Sequence, residues 1–183
     1  IYQNALDNMI AFADELLANM QKHDVLNQPN GKKSLHRIYR DTRFSKNKTP
    51  YKNNLSGSFS RATAARRGGY YFHMEPGNVF LAGGFWAPNT DDLKLIRSHV
   101  DAEPDRLREI LNSKDFKDNF SEMQGEQLKT SPKGYQVENP AIDLLRYKQV
   151  MKSRSFTDDE VLSKEFTKVA SDTFQAMRTF LDY

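Results

Sequence analysis

Near the start of the chain, Leu6, Met9, Ile10, Ala13, Leu16, Leu17 and Met20 recur at three and four positions, preceded by Tyr2. That period belongs to one face of an α-helix, so the spacing predicts an N-terminal helix with a single buried stripe. Asn27-Gln-Pro29-Asn30-Gly31 breaks it with turn-forming residues. Residues 34–43 then alternate around Ile38 and Tyr39, the period of a strand. In such a strand Arg37, Tyr39, Asp41 and Arg43 share one face, and Ile38, Arg40 and Thr42 the other, with Asp41 close enough to Arg43 to pair. Leu55 to Ser60, after Asn53-Asn54, reads as a second strand. Arg66-Arg67-Gly68-Gly69 is a turn into the clearest alternation of the chain, Tyr70 to Glu75. Pro76-Gly77-Asn78 turns that strand back into Asn78 to Phe85, which together predict a hairpin. Gly83-Gly84 weakens the end of the return strand and lets another backbone or a ligand come close.

Helical signals return at Thr90-Asp-Asp-Leu93, where Asn89 or Thr90 is the N-cap and acids fill the first turn. Leu93, Ile96 and Val100 form its stripe, and Pro104 restarts a helix through Leu107, Ile110 and Leu111. Residues 126–137 suggest a short strand and a turn at Ser131-Pro132-Lys133-Gly134. Asn139-Pro140 opens a short helix ending near Tyr147. Thr157-Asp-Asp-Glu160 is a capping box ahead of one last helix, with Val161, Leu162, Phe166, Val169, Phe174, Met177, Phe180 and Leu181 inward. The order predicts an α+β fold: a mostly antiparallel sheet packed against N- and C-terminal helices. At 183 residues the chain fits one domain, 1–183, and a tight two-lobed arrangement also fits.

Composition narrows the classes. A hydrophobic share of 38% with 28% charged residues suits a globular protein and is too apolar for disorder. No apolar run approaches the roughly 20 residues of a membrane span. With no cysteine there are no disulfides, thiolate ligands or cysteine nucleophile, which favours the cytoplasm. The chain starts at Ile1 inside a helical pattern, so the expectation is a window on a longer protein that lacks its N-terminal segment.

Charge changes the picture more. Residues 32–67 hold eleven Lys and Arg against Asp41 alone, a local balance of +10, so at a net charge of +3 the remainder carries −7. Such a block asks for an anionic partner or an acidic face of its own chain. Its densest part runs from Arg37 to Tyr51, with Arg40, Arg43, Lys46 and Lys48 around Asp41. Arginine forks suit bidentate carboxylate or phosphate, and lysines add point charges. His73 and Glu75 sit two apart on a predicted strand, on one face with Tyr71, and can do acid–base work. Lys129, Lys133 and Tyr135 make a second basic patch. No phosphate loop, H-E-x-x-H spacing or G-x-S-x-G elbow occurs, and the serines have no obvious histidine partner, so neither a metal site nor a serine hydrolase is expected. No cofactor is indicated.

The spacing R-x-x-R-D-x-R-F-x-x-x-K-x-x-Y, filled by Arg37, Arg40, Asp41, Arg43, Phe44, Lys48 and Tyr51, resembles the signature of a bacterial family, also found in fungi, of conserved proteins of unknown function. Gly69 to Pro76, Gly83 to Pro88, Leu128 to Tyr135, and Asn139-Pro140 with Asp143 to Lys148 are similar to further blocks of that family. The resemblance implies a single cytoplasmic domain and carries no reaction. Members usually begin with a Phe-, Asn- and Trp-rich segment that this chain does not show.

Three functional readings follow. The first is a pocket for a small anionic ligand lined by Arg37, Arg40, Arg43, Lys48, Tyr51, Lys129 and Lys133, with Asp41, His73 or Glu75 as acid–base candidates. In the second, basic and aromatic side chains bind nucleic acid. The third makes the arginines structural, buried in ion pairs.

Overall fold

The computed structural model describes residues 2–44, 46, 48–63 and 67–183. Ile1, the Tyr2 side chain and Arg66 of the expected turn lie outside the described residues. Helix α1 spans Tyr2–Met20, and its second half carries the deepest side chains, Ala13, Leu16, Leu17 and Met20. A one-turn helix α2 (Gly31–Ser34) follows, its N-cap Asn30 accepting from Lys33 N. Strands β1 (Leu55–Ser60), β2 (Gly69–Met74) and β3 (Val79–Phe85) come next. Then come α3 (Thr90–Ala102), α4 (Pro104–Asn112), α5 (Lys114–Asn119) and α6 (Ile142–Leu145). Strand β4 (Val150–Phe156), α7 (Asp158–Leu162) and α8 (Phe166–Leu181) complete the chain. The strands form one antiparallel four-stranded sheet in the order β1-β2-β3-β4, so the fold is α+β with helices at both ends.

Several local expectations give way. Residues 34–43 do not form a strand: only isolated pairs occur there, Leu35 with Gly57 and Tyr39 with Tyr51. Arg40 N donates to Pro50 O and Lys52 N to Ile38 O, but Pro50 has no N–H to return. The Asp41 carboxylate takes the Arg43 N–H, a local bond that competes with a ladder. Residues 126–137 likewise make an isolated bridge, Gln127 with Tyr147, instead of a strand. Strand β4 shows little alternation in sequence because it buries polar groups, Lys152 and Ser153. The last helix is two helices: Thr157 and Glu160 make the expected capping box, but extended Ser163 (ψ 142) ends α7. Leu162 is 82% exposed and Val169 37%, so neither faces inward. Ala141, not Asn139-Pro140, caps α6.

The chain divides into two compact units, Ile1–Ala82 with Ser155–Gln175, and Gly83–Arg154 with Ala176–Tyr183. In the second, Val100, Leu107, Phe116, Phe120, Ala141, Leu145, Met177 and Phe180 make the core. Arg108 clamps Asp143 through both oxygens at 2.7 and 3.0 Å and donates to Pro140 O, while Asn139 donates to Asp101. The Asn139–Lys148 block is thus an anchor for α6. Gly84, at φ +136, lies against Val150 O and Met151 of β4, so the close approach expected at Gly83-Gly84 is to another backbone. Trp86 is 70% exposed.

In the first unit Leu16, Met20, Phe59, Tyr70, Phe72, Phe166 and Phe174 are buried, with Phe12 edge-on to Phe72 at 5.7 Å and Tyr70 against Phe174 at 5.0 Å. Gly57 faces the Phe72 ring, where a Cβ would collide with ring atoms. The hairpin turn is held by Asp158, whose carboxylate accepts Gly77 N–H at 2.9 and 3.1 Å. Asp24, just after α1, is buried and accepts from Arg61 Nε at 2.8 Å, Tyr70 Oη at 2.7 Å and Val25 N at 2.9 Å. Neither side chain of the Asp24–Arg61 pair touches solvent.

Burial alone would raise the Asp24 carboxyl, but the Tyr70 hydroxyl, the Val25 amide and the Arg61 guanidinium together hold it below its ordinary value. A carboxyl depressed in the folded state stabilises fully above its unfolded value near 4, and that contribution is lost as pH falls through the folded value. Arg61→Ala takes the guanidinium away from a buried carboxylate, so urea unfolding at pH 7 should show a loss of about 3 to 5 kcal/mol. The double variant Asp24→Asn, Arg61→Met should lose less at pH 7 and show a flatter stability profile below pH 4.

Candidate functional site

Strands β1 and β2 pair in a register that sets Ser56 opposite His73 and Ser58 opposite Tyr71. Side chains alternate across a strand, so these four share one face while Gly57, Phe59, Tyr70 and Phe72 take the core face. Residue 75 continues the period, and a chain of contacts results. Tyr71 Oη lies 3.0 Å from His73 Nδ1, and His73 Nε2 lies 3.2 Å from Glu75 Oε2. His73 stacks on Phe80, centroids 4.8 Å apart and planes at 14°, which fixes the ring. Asn78 Nδ2 donates to Glu75 Oε2 at 3.0 Å and Asn53 Nδ2 to Oε1. The Asn78 amide first, and His73 after it, hold the Glu75 carboxyl below the usual range.

His36 closes over the same face from the irregular segment after α2. Its Nε2 is 3.0 Å from Ser58 Oγ and its Nδ1 3.4 Å from Ser56 Oγ, and its ring is tilted against Tyr71 at 5.8 Å. Burial, then the positive charge of Lys52, pushes the imidazole down, which keeps it neutral at pH 7. The expectation that no serine has a histidine partner is therefore corrected: the pairing comes from the sheet register and a loop twenty residues away, not from a motif.

Between these groups lies an open cleft of about 480 Å³, lined by His36, Arg40, Asp41, Lys52, Asn53, Asn54, Ser56, Tyr71 and His73. Arg40 and Asp41 line it together, so the alternating faces expected for a strand do not separate them. Asp41 is gripped by Arg43 through Nε at 3.0 Å and Nη2 at 2.7 Å. That guanidinium keeps the carboxyl depressed and ionised. Arg40 donates to Thr49 Oγ1 at 3.2 Å. Among the described residues neither Arg40 nor Lys52 meets a carboxylate.

The other expected residues fall outside the lining. Arg43 is turned to Asp41 and Phe44, Lys48 donates to Thr42 O at 2.8 Å, and Arg37 is exposed. Tyr51 pairs with Tyr39, ring centroids 5.4 Å apart. Lys129 and Lys133 are exposed on the second unit, on a loop anchored by buried Pro132 and by Tyr135 against that core. Among the described residues, a fully buried arginine pair is formed by Arg61 and Asp24, outside the arginine-rich run. Sequence reasoning passed over Lys52, His36, Ser56, Asn53 and Asn78. Tyr71 was within reach, since it shares the period-two face of His73 and Glu75.

A family model matches residues 1–183, that of the group described as Conserved hypothetical protein (DUF2461). The chain belongs to this family. No curated protein and no solved structure matches it. Among the described residues no helix is long and apolar enough to cross a membrane, and no group of three or more His, Asp or Glu is placed to hold a metal ion.

Two titrations check these electrostatics. By carboxyl carbon NMR, Glu75 should titrate below an ordinary glutamate, and Asn78→Ala should move it upward. By imidazole NMR, His36 should titrate below the ordinary histidine value, and Lys52→Met should move it upward while leaving part of the depression that burial causes.

Proposed function

We propose that the first unit binds a small phosphate- or carboxylate-bearing molecule in the cleft of Arg40, Lys52, His36, Ser56 and Tyr71. The observation that carries this reading is the imbalance of the lining. Two cations, Arg40 and Lys52, face the cleft without a carboxylate partner among the described residues, while its one carboxylate, Asp41, is already held by Arg43. A concave site with fixed positive charge and neutral donors favours an anion over water. Arg40 supplies a planar fork and Lys52 a point charge, with Asn53, Asn54 and Ser56 as hydrogen-bonding groups around them.

A second reading rests on a separate observation. Tyr39 and Tyr51 are 59% and 55% exposed with their rings paired, in the same segment as Arg37 and Arg43. Exposed rings beside cations suit single-stranded nucleic acid.

A calorimetric titration separates the two. Inorganic phosphate, pyrophosphate and citrate should bind the wild type, and Arg40→Gln or Lys52→Met should each cost about 1.5 to 3 kcal/mol, roughly ten- to 150-fold in Kd. Tyr51→Ala should leave that binding intact. Binding of an oligothymidylate that falls steeply with salt and is lost in Tyr39→Ala or Tyr51→Ala, with no small anion bound, would replace the first reading by the second.

A further inference from the structure

The hydrogen-bond chain beside the cleft has a direction. Glu75 is ionised and can only accept, and its oxygens are fixed by the Asn53 and Asn78 amides. The third group on it, His73 Nε2, must therefore carry the proton at 3.2 Å. In the neutral tautomer with its proton at Nε2, Nδ1 is an acceptor, and the Tyr71 hydroxyl 3.0 Å away is placed to donate to it. The phenol oxygen keeps its lone pairs for the cleft that Tyr71 lines. An orienting carboxylate, an imidazole and a hydroxyl in that order make the arrangement that activates an oxygen for proton transfer.

We propose that Tyr71 is a catalytic acid–base residue, driven by the Tyr71–His73–Glu75 chain and acting on the small anionic substrate that Arg40 and Lys52 hold. This rests on the anion-binding reading for its substrate class, but not for its proton chain. In the forward step the Tyr71 oxygen takes a proton from a substrate O–H or C–H, and the phenolic proton passes to His73 Nδ1. The imidazolium so formed is stabilised by Glu75, and the electron pair of the broken bond stays on the substrate. Reversal returns the proton. His73 takes part in the transfer as the acceptor of the phenolic proton, and Glu75 is a positioning residue that acts only through His73.

An arylsulfonyl fluoride tests the chain without the substrate. The Tyr71 oxygen attacks sulfur, an O–S bond forms, fluoride leaves, and the phenolic proton goes to His73. Peptide mass spectrometry should find Tyr71 labelled at least about tenfold faster than Tyr39 and Tyr51, which are more exposed phenols without a histidine contact and serve as internal references. His73→Gln should bring Tyr71 down to the reference rate, with Tyr39 and Tyr51 unchanged as references and an unchanged thermal melt showing that the variant folds, and Tyr71→Phe should abolish the adduct at that position. Imidazole nitrogen NMR of the wild type should show His73 protonated at Nε2 and unprotonated at Nδ1. Equal Tyr71 labelling in wild type and His73→Gln, or the opposite tautomer, would overturn the proposal. Inorganic phosphate should protect Tyr71 in the wild type and not in Arg40→Gln. If labelling depends on His73 but phosphate neither binds nor protects, the anion reading fails and the proton chain stands.

Discussion

Everything in the first unit hangs on a carboxylate that solvent cannot reach. Asp24 follows the last turn of α1 and binds Arg61, just past β1, and Tyr70, at the start of β2. Three elements distant in sequence thus meet at one charge. A buried ion pair is weak evidence for net stability, because desolvation offsets most of the attraction. Its effect is on uniqueness: with Asp24 inside, only the arrangement that brings both Arg61 and Tyr70 to it is tolerable. Strand β2 therefore enters the sheet with Tyr70 pointing inward, and the alternation of the strand decides the rest.

One pleat then serves two purposes. Tyr70 and Phe72 fill the core, and Tyr71 and His73 stand on the opposite side with Ser56 and Ser58 across from them. A slip of one residue would exchange the two sets, burying the polar chain and exposing the aromatic core. The cleft is consequently as well specified as the core. Its wall, the segment from His36 to Asn54, is held by isolated bridges and side-chain bonds such as Arg43 to Asp41. The site joins a rigid floor to a loosely paired wall.

This division also explains what could be read from the chain alone. The hairpin of β2 and β3, strand β1, the long first helix and the Thr157 capping box were legible because period and turn chemistry agree there. The face shared by Tyr71, His73 and Glu75 followed from the same alternation. The wall was misread because the Arg37–Arg43 pattern has strand period but its hydrogen bonds go to Pro50 and to the Asp41 side chain. Strand β4 went unseen because Lys152 is buried with its ammonium on Ser121 O, a tertiary bond that no local pattern announces. His36 entered the site by pairing with β1 and Lys52 by pairing with Ile38, and the basic run itself gave no sign of which of its cations would be left without a carboxylate.

The contact between Asp158 and the Gly77 amide has a temporal side. Gly77 sits in the turn that carries Glu75 and Asn78, the carboxylate end of the proton chain, and its partner lies 81 residues further along. Loop closure over such a separation comes late and is slow relative to local hairpin formation. During synthesis on the ribosome the β2–β3 hairpin emerges long before residue 158 does, so the turn waits unbraced until α7 has emerged behind it. The site would thus be assembled in two stages: floor first, and its anchoring turn only once residue 158 has followed.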